Sequence, residues 1–152
     1  MGEVLVSGVT GGIGSAVVAA LAEAGHRVIA VGRDIGRLDV RGIEADLARP
    51  ETLAAAVGAL RAAGDLDELR ALVHCAGISP VVAVADATPD TWSRTPAVNV
   101  ASAAELVRLT LPSLRRGKGH VILVNASPGL TGVARWSAEP GPHDRMGVGR
   151  TG

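Results

Sequence analysis

The sequence has no tyrosine and no phenylalanine, and its only aromatic side chains are two tryptophans. A hydrophobic interior must therefore be assembled from Ala, Val, Leu and Ile, which pack helices closely against strands. The absence of tyrosine is also a chemical exclusion, because no phenol is available anywhere in the 152 residues as an acid, a base or a hydrogen-bond donor. Cys75 is the single cysteine. That rules out an intrachain disulfide and fits a reducing, cytoplasmic setting. Neither sign of charge is in excess, with 15 Lys and Arg against 15 Asp and Glu, so no basic stripe recruits nucleic acid and no acidic tail is present. No apolar run reaches the length of a membrane-spanning helix, and Met1-Gly2-Glu3 lacks the basic flank of a signal peptide. These exclusions leave a soluble, single-core chain with a small-molecule partner as the expectation.

What is present alternates between two periods. Val4-Leu5-Val6, Val28-Ile29-Ala30-Val31, Ile43-Glu44-Ala45, Arg70-Ala71-Leu72-Val73-His74-Cys75 and Val121-Ile122-Leu123-Val124 are short, mostly apolar runs ending in polar or glycine residues, as buried strands do. Between them, Ile13, Val17, Leu21 and Ala24 recur as one helix face closed by Gly25. Pro50 opens a second helix on Leu53, Val57 and Leu60. Leu106, Val107, Thr110, Leu111 and Leu114 mark a third over residues 97–116, with Pro112 bending its last turn. Strands separated by helices imply parallel pairing. The fold expected is α/β, a Rossmann-like doubly wound parallel sheet truncated after the fifth strand.

Gly8, Gly12 and Gly14 lie between the first strand and the first helix. Glycines there allow a tight turn, a close approach of backbone to a pyrophosphate, and close helix packing, while the helix N-terminus presents free N–H groups to the phosphates. Ser7-Gly8-Val9-Thr10-Gly11-Gly12-Ile13-Gly14 resembles the TGxxxGIG pattern of the short-chain dehydrogenase/reductase family, with Ser for the first Thr. His74-Cys75-Ala76-Gly77 resembles that family's NNAG, keeping the last two residues. Asn99-Val100 resembles the family's Asn on the following helix, and Val124-Asn125-Ala126-Ser127 the strand end that carries its catalytic Ser. The four signals occur in family order over residues 3 to about 138.

The resemblance implies a cofactor site at Ser7, Gly8, Thr10, Gly12, Ile13, Gly14, Asp46, Leu47, Ala76 and Gly77, with Asp46 on the adenine. Asp46 is otherwise a helix-initiating Asp ahead of Pro50. At the end of the second strand, where an acid would bind the ribose hydroxyl of NAD, stand Gly32 and Arg33. A guanidinium pairs with a 2′-phosphate, so NADP is favoured over NAD; the alternative is a solvated loop arginine. By the same resemblance Ser127 and Asn99 are catalytic, and the substrate is a small carbonyl or alcohol. The family's Tyr and Lys, four residues apart on one helix face, have no counterpart. Glu139 and His143 share that spacing, but Pro140-Gly141-Pro142 between them disfavours a helix.

No metal site is expected, because His74 and Cys75 adjoin on a strand and point to opposite faces. Trp92, with Arg94, is read as an anchor for the loop before the long helix, with a lining role over the cofactor as the alternative. Of the fourteen residues 139–152, four are Gly, two Pro and two Arg, so a disordered tail follows a binding domain over 1–138. That text is also what out-of-frame reading of a gene rich in G and C would give. Without the helix and strand that follow in the family, the fifth strand becomes an open edge, the apolar face of residues 97–116 is bared, and the family's homo-oligomer interface is lost. The expectation is an NADP-dependent oxidoreductase by family that is inactive as this chain stands. A catalytically silent NADP-binding module and a non-functional truncated product are the alternatives.

Overall fold

The structure, a computed structural model, describes residues 2–125. Ser127, the Glu139 and His143 pair and the tail at 139–152 lie outside the described residues. Five strands form one sheet: β1 (Glu3–Ser7), β2 (Arg27–Gly32), β3 (Arg41–Glu44), β4 (Leu69–His74) and β5 (His120–Leu123). Their order is β3-β2-β1-β4-β5 and every pairing is parallel, with Val6 opposite Ala30 on one side and Val73 on the other. This is the Rossmann-like doubly wound arrangement read from the alternation of strands and helices, and the described sheet ends at β5.

Four α-helices accompany the sheet: α1 (Gly12–Glu23), α2 (Pro50–Ala62), α3 (Pro89–Pro96) and α4 (Ser102–Gly117), the last two joined by a π-turn at Ala97–Ala101. Alternation along β1 divides the core in two. Leu5 points to the α2 and α4 side and joins Leu53, Leu60, Leu69, Leu72 and Leu106, all 5% exposed or less. Val4 and Val6 point to the α1 side, where their helix partners Val17 and Leu21 are only partly buried. A fully buried Leu contributes about 1.5–3 kcal/mol, so the α2 and α4 face dominates stability. In α2, Pro50 sits in the first turn, where its missing N–H costs nothing, and Glu51 and Arg61 complement the helix dipole at opposite ends.

Two expectations about apolar faces need correction. Ile13 is 54% exposed rather than part of the buried stripe of α1, because the stripe reaches the sheet only from Val17 onward. The apolar face of residues 97–116 is not bared, since Leu106 and Leu114 are 0% and 3% exposed against the sheet and α2. Exposure there is confined to Val100 and Leu111. Pro112 lies inside α4, which continues to Gly117 and ends where Lys118 takes a left-handed conformation at φ 48°. Gly117 is required by contact as well, because a Cβ there would collide with the Leu69 backbone.

The expectation about β5 agrees with the structure. Val121, Ile122, Leu123 and Val124 are 42%, 49%, 53% and 36% exposed. Among the described residues no helix is long and apolar enough to cross a membrane. An apolar strand exposed on its edge and faces self-associates in water. Sedimentation velocity should therefore show species heavier than monomer that grow with concentration, and Ile122→Lys should shift them toward monomer. A strictly monomeric parent chain would reject this reading of β5.

Candidate functional site

At the C-terminal ends of β1, β2, β3 and β4 the backbone opens into a cleft of about 210 Å³. Its floor is set by glycine. Gly8 turns the chain out of β1 at φ +75°, a region L side chains avoid, and a Cβ on it would lie 2.5 Å from the Ala76 nitrogen. The loops after β1 and β4 thus touch backbone to backbone. The Gly11 N–H donates to the Gly8 carbonyl at 3.1 Å, closing the turn. Gly14 is the one buried residue of α1, and a Cβ there would strike the Gly8 carbonyl. Gly12 differs, for it has nothing within 4 Å and opens to solvent. The N-terminus of α1 carries no side-chain cap and no acid in its first turn, which leaves its N–H groups available to an anion.

Gly8, Thr10, Arg33, Asp46, Leu47, Ala76 and Gly77, each singled out in the sequence, line this one cleft. Gly12, Ile13 and Gly14 are not part of its lining; Gly14 lies beneath the loop and Ile13 faces solvent. Asp46 does not cap α2. Its Oδ1 accepts the Ala48 N–H at 3.0 Å, a local turn that holds the carboxylate at the rim, while Arg49 takes the cap position. Asp34, Cys75 and Val98 also line the cleft and were not singled out as binding residues; of the Trp92 and Arg94 pair read as a loop anchor or a cofactor lining, Arg94 lines the cleft and Trp92, 48% exposed, does not. The signal for Arg94 and Val98 was available: Thr88-Pro89 is a helix start, and the Thr88 hydroxyl accepts the Thr91 N–H at 3.3 Å. That start makes residues 94 and 98 neighbours on one face.

Ser7 lies under the site rather than on its surface. It is fully buried, and its hydroxyl is 2.7 Å from Nδ1 of His74, which joins the ends of β1 and β4. His74 is 2% exposed and its Nε2 has no hydrogen-bond partner. Burial pushes its pKa below the ordinary imidazole value of 6.5, opposed only in part by the Val98 backbone, so the imidazole is neutral at pH 7. Asn99 spends its amide on the loop after β4, accepting the Ile78 N–H at 2.8 Å and donating to the Ile78 carbonyl at 2.9 Å. Those two bonds fix Gly77 and Ile78 at the cleft mouth. Burial raises the Cys75 thiol above its usual value, keeping it protonated. No group of three or more His, Cys, Asp or Glu among the described residues is placed to hold a metal ion.

A family model described as short chain dehydrogenase matches residues 3–138. The chain belongs to the short chain dehydrogenase family. Similar curated proteins include D-beta-hydroxybutyrate dehydrogenase of Cupriavidus necator, 31% identical over 88% of this chain and 56% of its own length. Another is the uncharacterized oxidoreductase YvrD of Bacillus subtilis, 31% identical over 84% of this chain and 52% of its own. The chain therefore spans about half the length of the curated relatives it matches. Among solved structures, a short chain dehydrogenase/reductase family oxidoreductase from Brucella ovis, in complex with a partially ordered NAD, superposes with a TM-score of 0.77 at 27% identity. The overlap covers 90% of this chain and 67% of that one. Membership in a short-chain dehydrogenase family implies a nicotinamide cofactor.

Two measurements test this geometry. Gly14→Ala should destabilise the chain by about 1–3 kcal/mol in urea unfolding, through overpacking against the Gly8 carbonyl; an unchanged midpoint would refute the contact. His74 is held neutral by burial, so its folded pKa lies below its unfolded one. Its contribution to stability is complete above pH 6.5 and is lost as the pH falls toward the depressed value. Stability measured at decreasing pH should drop in the parent chain, and that part of the drop should vanish in His74→Gln.

Proposed function

We propose that this chain supplies the NADP(H)-binding part of a short-chain dehydrogenase, an oxidoreductase that moves hydride between a nicotinamide and a small carbonyl or alcohol. The observation that carries the cofactor preference is the end of β2. Gly32 stands where an acid would accept the ribose hydroxyl hydrogen bonds, and Arg33 follows it on the cleft wall with no carboxylate partner among the described residues. A free guanidinium suits a 2′-phosphate. Under this reading the glycine turn and the first N–H groups of α1 would hold the pyrophosphate, and Arg33 the 2′-phosphate. The second oxygen of Asp46 would take the adenine amino group beside Leu47, with Ala76 and Gly77 against the ribose. When bound, the cofactor supplies or accepts the hydride. Ser127 and Asn99 would serve the substrate end, Asn99 through the loop it holds rather than through its committed amide. A reducing cytoplasmic setting belongs to the same reading.

Turnover by the chain alone is not part of the proposal, because the family's proton donor is a Tyr and the sequence has none. Incubation with NADPH and a panel of ketones should consume no more NADPH than buffer; measurable reduction would overturn this. One observation favours NAD instead: Asp34, next to Arg33, also lines the cleft. Titration with both cofactors separates the two. Arg33→Ala should weaken NADPH binding by about 10- to 100-fold, the worth of one charge-assisted pair, and leave NADH unchanged. If NADH binds more tightly and Asp34→Asn removes that preference, the NAD reading replaces this one.

A further inference from the structure

The Arg94 carbonyl accepts the capping Ala97 N–H at the end of α3, while the residue also lines the cleft. It is only partly exposed, and its guanidinium has no carboxylate or hydrogen-bond partner among the described residues. A partly exposed cation that lines a cleft without a side-chain partner is available to a ligand that enters there. Its position is fixed rather than incidental. The Thr88 cap and Pro89 set the start of α3, and Val98, four residues beyond Arg94, is 6% exposed and lines the same cleft.

Arg33 and Arg94 come to the cleft from different elements. Arg33 leads into the turn whose Ile35 packs in the α1-side core. Arg94 belongs to the helical run that continues through the π-turn into α4, whose Leu106 and Leu114 pack in the other core. Leu47, packed against that same core, and Val98 line the cleft with it. Apolar neighbours of this kind suit the flat face of a base, on which a guanidinium stacks, rather than an oxyanion.

We propose that Arg94 covers the purine base of the bound adenine nucleotide, stacking its guanidinium on the face of the ring, as a binding residue distinct from the phosphate-reading Arg33. This rests on the reading of the cleft as a dinucleotide site, but not on its preference for NADP.

The test is a ligand-observed NMR titration of the full chain with three probes: AMP, AMP carrying an additional 2′-phosphate, and nicotinamide mononucleotide, which has no adenine. Arg94→Ala and, as a second variant, Arg94→Gln should weaken the two adenine probes by the same factor, about 3- to 30-fold, and leave the mononucleotide unchanged. Unaltered thermal unfolding of either variant shows that the fold is intact. Loss confined to the 2′-phosphorylated probe would make Arg94 a phosphate ligand and overturn the proposal, as would no change for either adenine probe. Arg33→Ala acting equally on both adenine probes would sink the NADP preference while leaving the Arg94 result standing. Failure of the folded parent chain to bind AMP would overturn both.

Discussion

The cleft depends on one place where three stretches of backbone meet with no side chain between them. Gly8 leaves β1 in a left-handed turn, the loop after β4 lies against it at Ala76, and α1 is pulled down onto its carbonyl at Gly14. Each contact requires that a Cβ be absent, so the three elements are held closer than ordinary side chains permit. That closeness brings the end of β4 beside the end of β1 and aims the start of α1 at the same space. Beneath it the Ser7 hydroxyl and the neutral His74 imidazole join the same two strands. The polar groups on the wall then fall into place at the ends of β2 and β3, because β2 pairs in parallel with β1 and β3 in turn with β2.

How much of this was legible follows from which residues carry it. The alternation of strands and helices and the parallel pairing rest on hydrophobic runs and on the rule that parallel strands need crossovers, and the runs are properties of local sequence. The glycine loop was legible for the same reason, since only backbone geometry is at stake. What the sequence concealed was exposure. Ile13 has the spacing of a core residue but is 54% exposed, while its neighbour Gly14 is the buried residue of that turn, and periodicity does not report which side of a first turn meets the backbone beneath it. Asp46 was open to two readings until its bond to Ala48 showed a turn ahead of the helix rather than a cap on it. Asn99 could be placed at the site from its surroundings, but not its commitment to both backbone groups of Ile78, which depends on the loop after β4 folding back. Arg94 reads first as a loop anchor because α3 is short and polar; its place on one face with Val98 follows from the helix start at Thr88-Pro89.

Binding and chemistry are unequally represented in the described chain. The glycine turn, Arg33 after β2 and Asp46 after β3 are all assembled within residues 2–125, each following the end of a strand. The groups that would move a proton have no such framework here, and the chain offers no phenol to supply one. Under the proposed function, the glycine loop speaks to cofactor binding and not to the proton-transfer step.

The connection between β2 and β3 is a single short turn, Ile35–Arg37, where a second helix would otherwise lie beside α1. Among the described residues α1 therefore stands alone on its side of the sheet, with Gly14 its only buried residue. Local opening, of the sort that amide hydrogen exchange detects, should begin at this wall and not at the leucine-rich one. An occupant touching α1, the end of β2 and the loop after β4 together would bridge elements that few side chains hold, and would stabilise them by mass action. In this architecture the ligand acts as the missing layer of the fold, so occupancy and local rigidity on the α1 side rise and fall together.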